Sequence, residues 1–236
     1  MKKIIHKSFE RGKTELGWLH SLHSFSFGSY YDPDKMGFGL LRVLNDDTVE
    51  PGKGFGTHPH NNMEIISIVL NGALEHKDSM SSGSVIYKGD VQVMSAGTGV
   101  THSEFNHSQT ELVQFLQIWI IPNKGGLKPR YDQKHFDLKD LRNKIMTVAS
   151  GEETDSKMFI NQNAAISIGS LEKGKVLRYN NIYNENGIYL FVLEGSINLD
   201  NEYINERDAV GIYDTDGFNF NASSNTKFII IEVPMK

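Results

Sequence analysis

Two pairs of metal-ligand side chains at strand spacing constrain this chain more than any other feature. His58 and His60 stand in Gly54-Phe55-Gly56-Thr57-His58-Pro59-His60, and His102 and Glu104 in Thr101-His102-Ser103-Glu104. Each pair is spaced i, i+2. Side chains alternate faces along a β-strand, so both members of a pair point the same way. Two such strands side by side would aim three imidazoles and one carboxylate at a single point. The residues between the pairs suit that arrangement, with short apolar runs broken by Gly, Asp and Asn that read as hairpins.

The rest of the chain has the same texture. After the β-branched run 65–70, Asn71-Gly72 is a strong hairpin signal, and residues 73–78 return. Ser81-Ser82-Gly83 and Lys88-Gly89-Asp90 mark further turns. Upstream, Phe25 and Phe27 alternate with Ser26 and Gly28, as in a half-buried strand. A strand over 39–44 is expected to end at Asn45-Asp46-Asp47. Residues 111–121 form the longest strand candidate. Many short strands with frequent turns predict an all-β antiparallel sandwich or barrel. Residues 122–142 read as a linker with one short helix over 138–144, and strands resume at 164–171, 188–193 and 228–233.

An internal repeat points to two copies of one unit. Ile68-Val69-Leu70-Asn71-Gly72-Ala73-Leu74 resembles Phe191-Val192-Leu193-Glu194-Gly195-Ser196-Ile197. Carried back, that alignment sets Asn181 and Tyr183 opposite His58 and His60. A looser match sets Phe220 and Ala222 opposite His102 and Glu104. All 9 histidines lie at or before His135. The expected division is a metal-binding domain over 1–135 and a second over 136–236 that keeps the scaffold without the ligands.

A net charge of -5 argues against a nucleic-acid surface or a membrane patch. The absence of cysteine excludes disulfides, thiolate ligands and a Cys nucleophile. The first residues, MKKIIHKSFERGK, carry no apolar segment of the secretory kind, and no apolar run reaches membrane-span length. A cytoplasmic protein is expected.

Three neutral imidazoles and a carboxylate suit a divalent first-row metal: iron, nickel, copper, manganese or zinc. Four protein ligands leave two octahedral positions for substrate or dioxygen. The bland alternative, ordinary surface histidines, has to produce two independent ligand pairs by chance. Glu64 competes with Glu104, since its parity from His60 puts it on the same face if the strand runs straight; it could also orient a histidine. His76, beside Glu75 and Asp78, is at best an outer contact of the site. His20, His23, His107 and His135 have no partner at ligand spacing and read as surface or core. Met94, Phe115 and Trp119 fall in strands, where packing is the default, with an apolar pocket wall as the functional reading; Gln92 joins them as a pocket candidate.

These motifs resemble the cupin superfamily. Gly52, His58, His60 and Glu64 fit its first motif, with Gly72 one residue late; Gly89, Gly97, His102 and Asn106 fit its second less well, with Ser95 at the proline position. The departures resemble the pirin family: His-Pro-His, the Glu-His-Lys-Asp-Ser of 75–79, the Gly-Asp-Val-Gln-Val-Met-Ser-Ala-Gly-Thr-Gly-Val of 89–100, and His-Ser-Glu. The resemblance is dense over residues 11–136. It implies a bicupin of two jelly-roll barrels with one metal in the first, held by His58, His60, His102 and Glu104, iron(II) being expected first. Bacterial pirins resemble quercetin 2,3-dioxygenases, so it further implies cleavage of flavonols by dioxygen, with Glu104 taking the substrate proton. The expected partners are a small aromatic substrate and dioxygen, with no nucleic acid bound directly, no membrane, and a monomeric chain. A rival reading is a metal-dependent sensor that docks on a protein partner and catalyses nothing.

Overall fold

The computed structural model describes residues 1–138 and 141–236, and among them it holds strands and a 3-10 turn at Ser8–Glu10 but no α-helix. In the first half, β2 (Gly12–Glu15), β3 (Leu19–His23), β4 (Leu41–Val49), β6 (Glu64–Asn71), β9 (Asp90–Ser95), β11 (Val113–Ile120) and β12 (Arg130–His135) form one sheet in the order β2-β3-β4-β11-β6-β9-β12. Facing it is β5-β10-β7-β8, made of β5 (Gly54–His60), β7 (Ala73–Asp78), β8 (Gly83–Tyr87) and β10 (Val100–Asn106).

The second half repeats the plan. Its large sheet contains β13 (Lys144–Ser150), β14 (Met158–Phe159), β15 (Ala165–Leu171), β17 (Gly187–Glu194), β20 (Ala209–Tyr213) and β22 (Thr226–Val233), and its small sheet runs β16 (Val176–Asn180), β21 (Gly217–Ala222), β18 (Ser196–Leu199), β19 (Glu202–Asn205). The architecture is the expected pair of tandem all-β barrels. The repeat is structural: β6-β7 turns at Gly72 and β17-β18 at Gly195, with φ of 75° and 80°. A Cβ at Gly72 would stand 2.6 Å from the Leu112 carbonyl, so the turn needs glycine for both reasons.

The two large sheets pack face to face. On β6 the even-numbered Ile66 and Ile68 face the partner barrel, and Ser67 faces its own interior. Ile118 and Ile120 on β11 share one buried cluster with Ile166, Phe191, Ile229 and Ile231 of the second barrel. Strands buried on both faces account for the continuous apolar runs at 65–70 and 228–233.

Several expectations are corrected. Asn45-Asp46-Asp47 does not end a strand: β4 runs through it to Val49, because Asn45 and Asp47 point into the barrel and Asp46 pairs with Arg11 and Arg207 on the other face. Residues 24–26 form no strand, and Phe27 pairs only with Tyr30, in a bridge that closes a turn over residues 28–29. The linker contains β12, which adds an edge to the first barrel's sheet. The helix over 138–144 falls in part on residues 139 and 140, outside the described residues; beyond them Asn143 adopts a positive φ of 56° and Lys144 already begins β13. The chain's first strand, β1 (Lys2–His6), pairs with β20 in the second barrel, so a division at residue 135 is crossed at the N-terminus.

Candidate metal centre

The ligand pairs sit on adjacent antiparallel strands of the first barrel's small sheet. His58 on β5 lies directly opposite His102 on β10, and β7 flanks β10 on the other side, placing His76 opposite Glu104 and Asp78 opposite His102. Burial along β10 alternates as the spacing requires, with His102, Glu104 and Asn106 buried and Thr101 and Phe105 exposed. The ring centroids of His58, His60 and His102 are 4.5 to 4.8 Å apart.

Hydrogen bonding assigns the tautomers. His58 Nδ1 lies 2.8 Å from the Gly56 carbonyl, which can only accept, so Nδ1 carries the proton and Nε2 presents a lone pair. His76 Nε2 lies 3.1 Å from Asp78 Oδ2 and donates to that carboxylate. In the tautomer with its proton on Nε2, His76 accepts at Nδ1, 3.4 Å from His102 Nδ1; His102 then donates there and presents an Nε2 lone pair. Those two lone pairs meet at 3.0 Å. Facing lone pairs repel unless a cation lies against both. Two nitrogens at about 2.1 Å from one metal and at a right angle to each other would stand about 3.0 Å apart. Burial, with the neighbouring imidazoles adding to it, lowers His60 to about 4 and His102 to about 2, so both offer neutral rings at physiological pH. The cluster is fit to hold a divalent metal.

Glu104 joins this group only in part. The ligand atoms close enough to share an ion fall into two overlapping triads, His58-His60-His102 and His76-His102-Glu104. Buried Glu104 accepts hydrogen bonds from Ser67 Oγ at 3.3 Å and Gln117 Nε2 at 2.9 Å, and burial raises its pKa. Glu64 is elsewhere. Asn62 takes a φ of 46° and breaks the straight run from His60, so Glu64 opens β6 on the face turned to the second barrel. There it accepts from Ser95 Oγ at 2.9 Å and from the Asn161 backbone at 3.0 Å.

A cavity of about 270 Å³ opens over the imidazoles, its walls including Phe27, Phe55, Gln117 and Trp119. Trp119 sets its ring edge-on to His60 at 4.9 Å. Phe115 packs in the cluster with Leu19 and Leu74, and Met94 in another with Ile65 and Val100. Gln92 is buried in the sheet with neither amide atom hydrogen-bonded. Ser21, His23, Asn45 and Asp47 also line this cavity, and the reading of the sequence did not single them out for the site. Their signal is present, since Ser21/His23 and Asn45/Asp47 are both i, i+2 pairs, but Asn45-Asp46-Asp47 has the composition of a turn.

The second barrel fills the equivalent position with rings. Strand pairing makes Tyr179 and Phe218 the counterparts of His58 and His102, and Phe220 that of Glu104. This moves the alignment made from sequence by two residues. The rings of Phe218 and Phe220 pack at a tilt, 5.7 Å apart, and Tyr179 donates to buried Glu232 at 2.8 Å.

Residues 5–120 match the family model described as Pirin, and residues 147–233 that of the quercetinase C-terminal cupin domain. The chain is 38% identical to quercetin 2,3-dioxygenase of Escherichia coli K12 over 98% of both chains. It is 37% identical to a pirin-like protein of Caulobacter vibrioides, covering 97% of this chain and 99% of that one. The crystal structure of the bacterial pirin YhhW from Escherichia coli in complex with nickel(II) superposes with a TM-score of 0.92 at 37% identity, over 99% of each chain.

Proposed function

The chain belongs to the pirin family, and on that footing we propose that it is a metal-dependent dioxygenase cleaving flavonols such as quercetin, with His58, His60, His102 and Glu104 as the ligands of one metal, iron(II) in the cell. The observation that carries this reading is the approach of His58 Nε2 to His102 Nε2 at 3.0 Å, beside a cavity sized for a small aromatic molecule. A bound divalent transition metal would supply Lewis-acid and redox chemistry, acidifying a flavonol hydroxyl and coupling its oxidation to dioxygen.

The chain's own residues do the rest. Gly56 and the Asp78-His76 pair hold His58 and His102 in the tautomer that would leave each Nε2 free to bind a metal. Glu104 is the group to take the hydroxyl proton, because its buried carboxylate is held by only two neutral donors and gains by protonation. Gln117 and Ser67 fix where that carboxylate points. Phe27, Phe55 and Trp119 wall the cavity with apolar surface and limit access of water. The second barrel supports the first through the shared sheet interface.

Aerobic mixing of metal-loaded protein with quercetin tests the reading. Loss of the flavonol's long-wavelength absorbance with release of carbon monoxide is expected, and both should vanish in Glu104→Ala. Fully loaded protein that leaves quercetin intact would refute it.

A further inference from the structure

Across the cavity from the imidazoles lies a second polar wall, contributed by β3 and β4 of the large sheet. Ser21 pairs with Asp47 and His23 with Asn45, and all four side chains are buried and line the cavity. His23 is saturated: Nδ1 meets Asn45 Oδ1 at 2.8 Å and Nε2 meets Thr14 Oγ1 at 2.9 Å. Asp47 is not. It accepts one hydrogen bond, from Ser21, at Oδ1, while Oδ2 has no hydrogen-bond partner among the described residues. The Arg11 guanidinium makes its ion pair with Asp46, on the opposite face of the strand.

Oδ2 is left free at the cavity wall, with acceptor capacity that a ligand hydroxyl can use. The fold does not need it. Strand pairing makes Gly169 the counterpart of Asp47 in the second barrel, and Ile145 that of Ser21. There the space of the missing side chain is filled by the Phe228 ring, 2.3 Å from where a Cβ would be. The same scaffold position thus closes on an aromatic ring in one barrel and opens on a carboxyl in the other.

We infer that Asp47, positioned by Ser21 and flanked by the His23-Asn45 pair, is a second anchor in the cavity that hydrogen-bonds a hydroxyl group of the substrate other than the one at the metal. The occupant is a polyhydroxylated aromatic, held by one oxygen at the metal and by another hydroxyl at Asp47. This rests on the flavonol reading above. Asp47 is a specificity-determining residue and takes no part in the bond breaking. Burial pushes its carboxyl up to about 7, so near neutral pH both protonation states are accessible and a phenol can be met as donor or acceptor.

Anaerobic titration of nickel-loaded protein with quercetin and with 3-hydroxyflavone, which keeps the metal-binding 3-hydroxyl and lacks the others, tests the anchor by quenching of tryptophan fluorescence. The wild type should bind quercetin about tenfold more tightly. Asp47→Leu should weaken quercetin about tenfold and leave 3-hydroxyflavone unchanged, and Asp47→Asn should keep most of the preference. Ser21→Ala, a smaller change, should shift the ratio the same way if the leucine variant does not fold. A preference unchanged in Asp47→Leu or Ser21→Ala, or equal loss for both ligands, overturns the anchor alone. A wild type that binds neither compound overturns the flavonol reading and the anchor with it.

Discussion

At the scale of single residues, the centre depends on which nitrogen of each imidazole carries its proton. His76 lies beside two candidate ligands, Glu104 and His102, and through Asp78 it sets the His102 tautomer. His76→Ala should therefore keep the fold and lower metal affinity by about 10- to 100-fold, measured by competition with a chelator. Asp47 carries a pH signature of its own. Its folded pKa is raised from 3.8 to about 7, so between those values the native chain holds a proton that the unfolded chain has lost. With more protons bound in the native state, stability falls as pH rises through that window. Asp47→Asn should flatten the fall, narrowing the difference in unfolding free energy between pH 5 and pH 7.5 by a few kcal/mol, as urea melts would show. The placement of the His58/His60 and His102/Glu104 pairs on adjacent strands was legible because i, i+2 spacing has one geometric meaning in a strand. Asp47 was not, because three consecutive Asn and Asp residues have the composition of a turn, and only the pairing of β4 with β3 and β11 shows them inside a sheet.

Among elements, the break between β5 and β6 separates two carboxylates that parity alone confuses. A straight strand would carry Glu64 toward the imidazoles; the positive φ at Asn62 restarts the chain in the other sheet, with Glu64 facing Asn161 of the second barrel. Glu64→Ala should leave metal content unchanged and destabilise the chain by about 1–3 kcal/mol, because Ser95 and Asn161 lose their buried acceptor. Metal loss in that variant, with Glu104→Ala silent, would reverse the two assignments. Strand locations and hairpin turns were readable from apolar runs and glycines. Partners distant in sequence were not: nothing in the local pattern of β1 says that Lys2–His6 crosses to pair with Ala209–Tyr213.

In the whole molecule, two barrels share one buried core across their large sheets, and β1 of the first half joins the sheet of the second, so each barrel covers apolar surface that the other would expose. A fragment ending at residue 135 should be insoluble or poor in metal, because it would uncover Ile66, Ile68, Ile118 and Ile120 together and leave β1 without its partner strand. A soluble fragment with full metal content would show the second barrel to be dispensable. That barrel keeps the strand plan and has Tyr179, Phe218 and Phe220 at the positions of His58, His102 and Glu104. Crystallography of the metal-loaded chain at the metal's absorption edge tests the central claim most directly. One anomalous peak is expected per chain, bonded to His58, His60, His102 and Glu104, with Glu104 drawn toward the imidazoles and no peak beside Tyr179 and Phe218. A peak held by His76, His102 and Glu104 without His58 and His60, or one at Glu64, would contradict it.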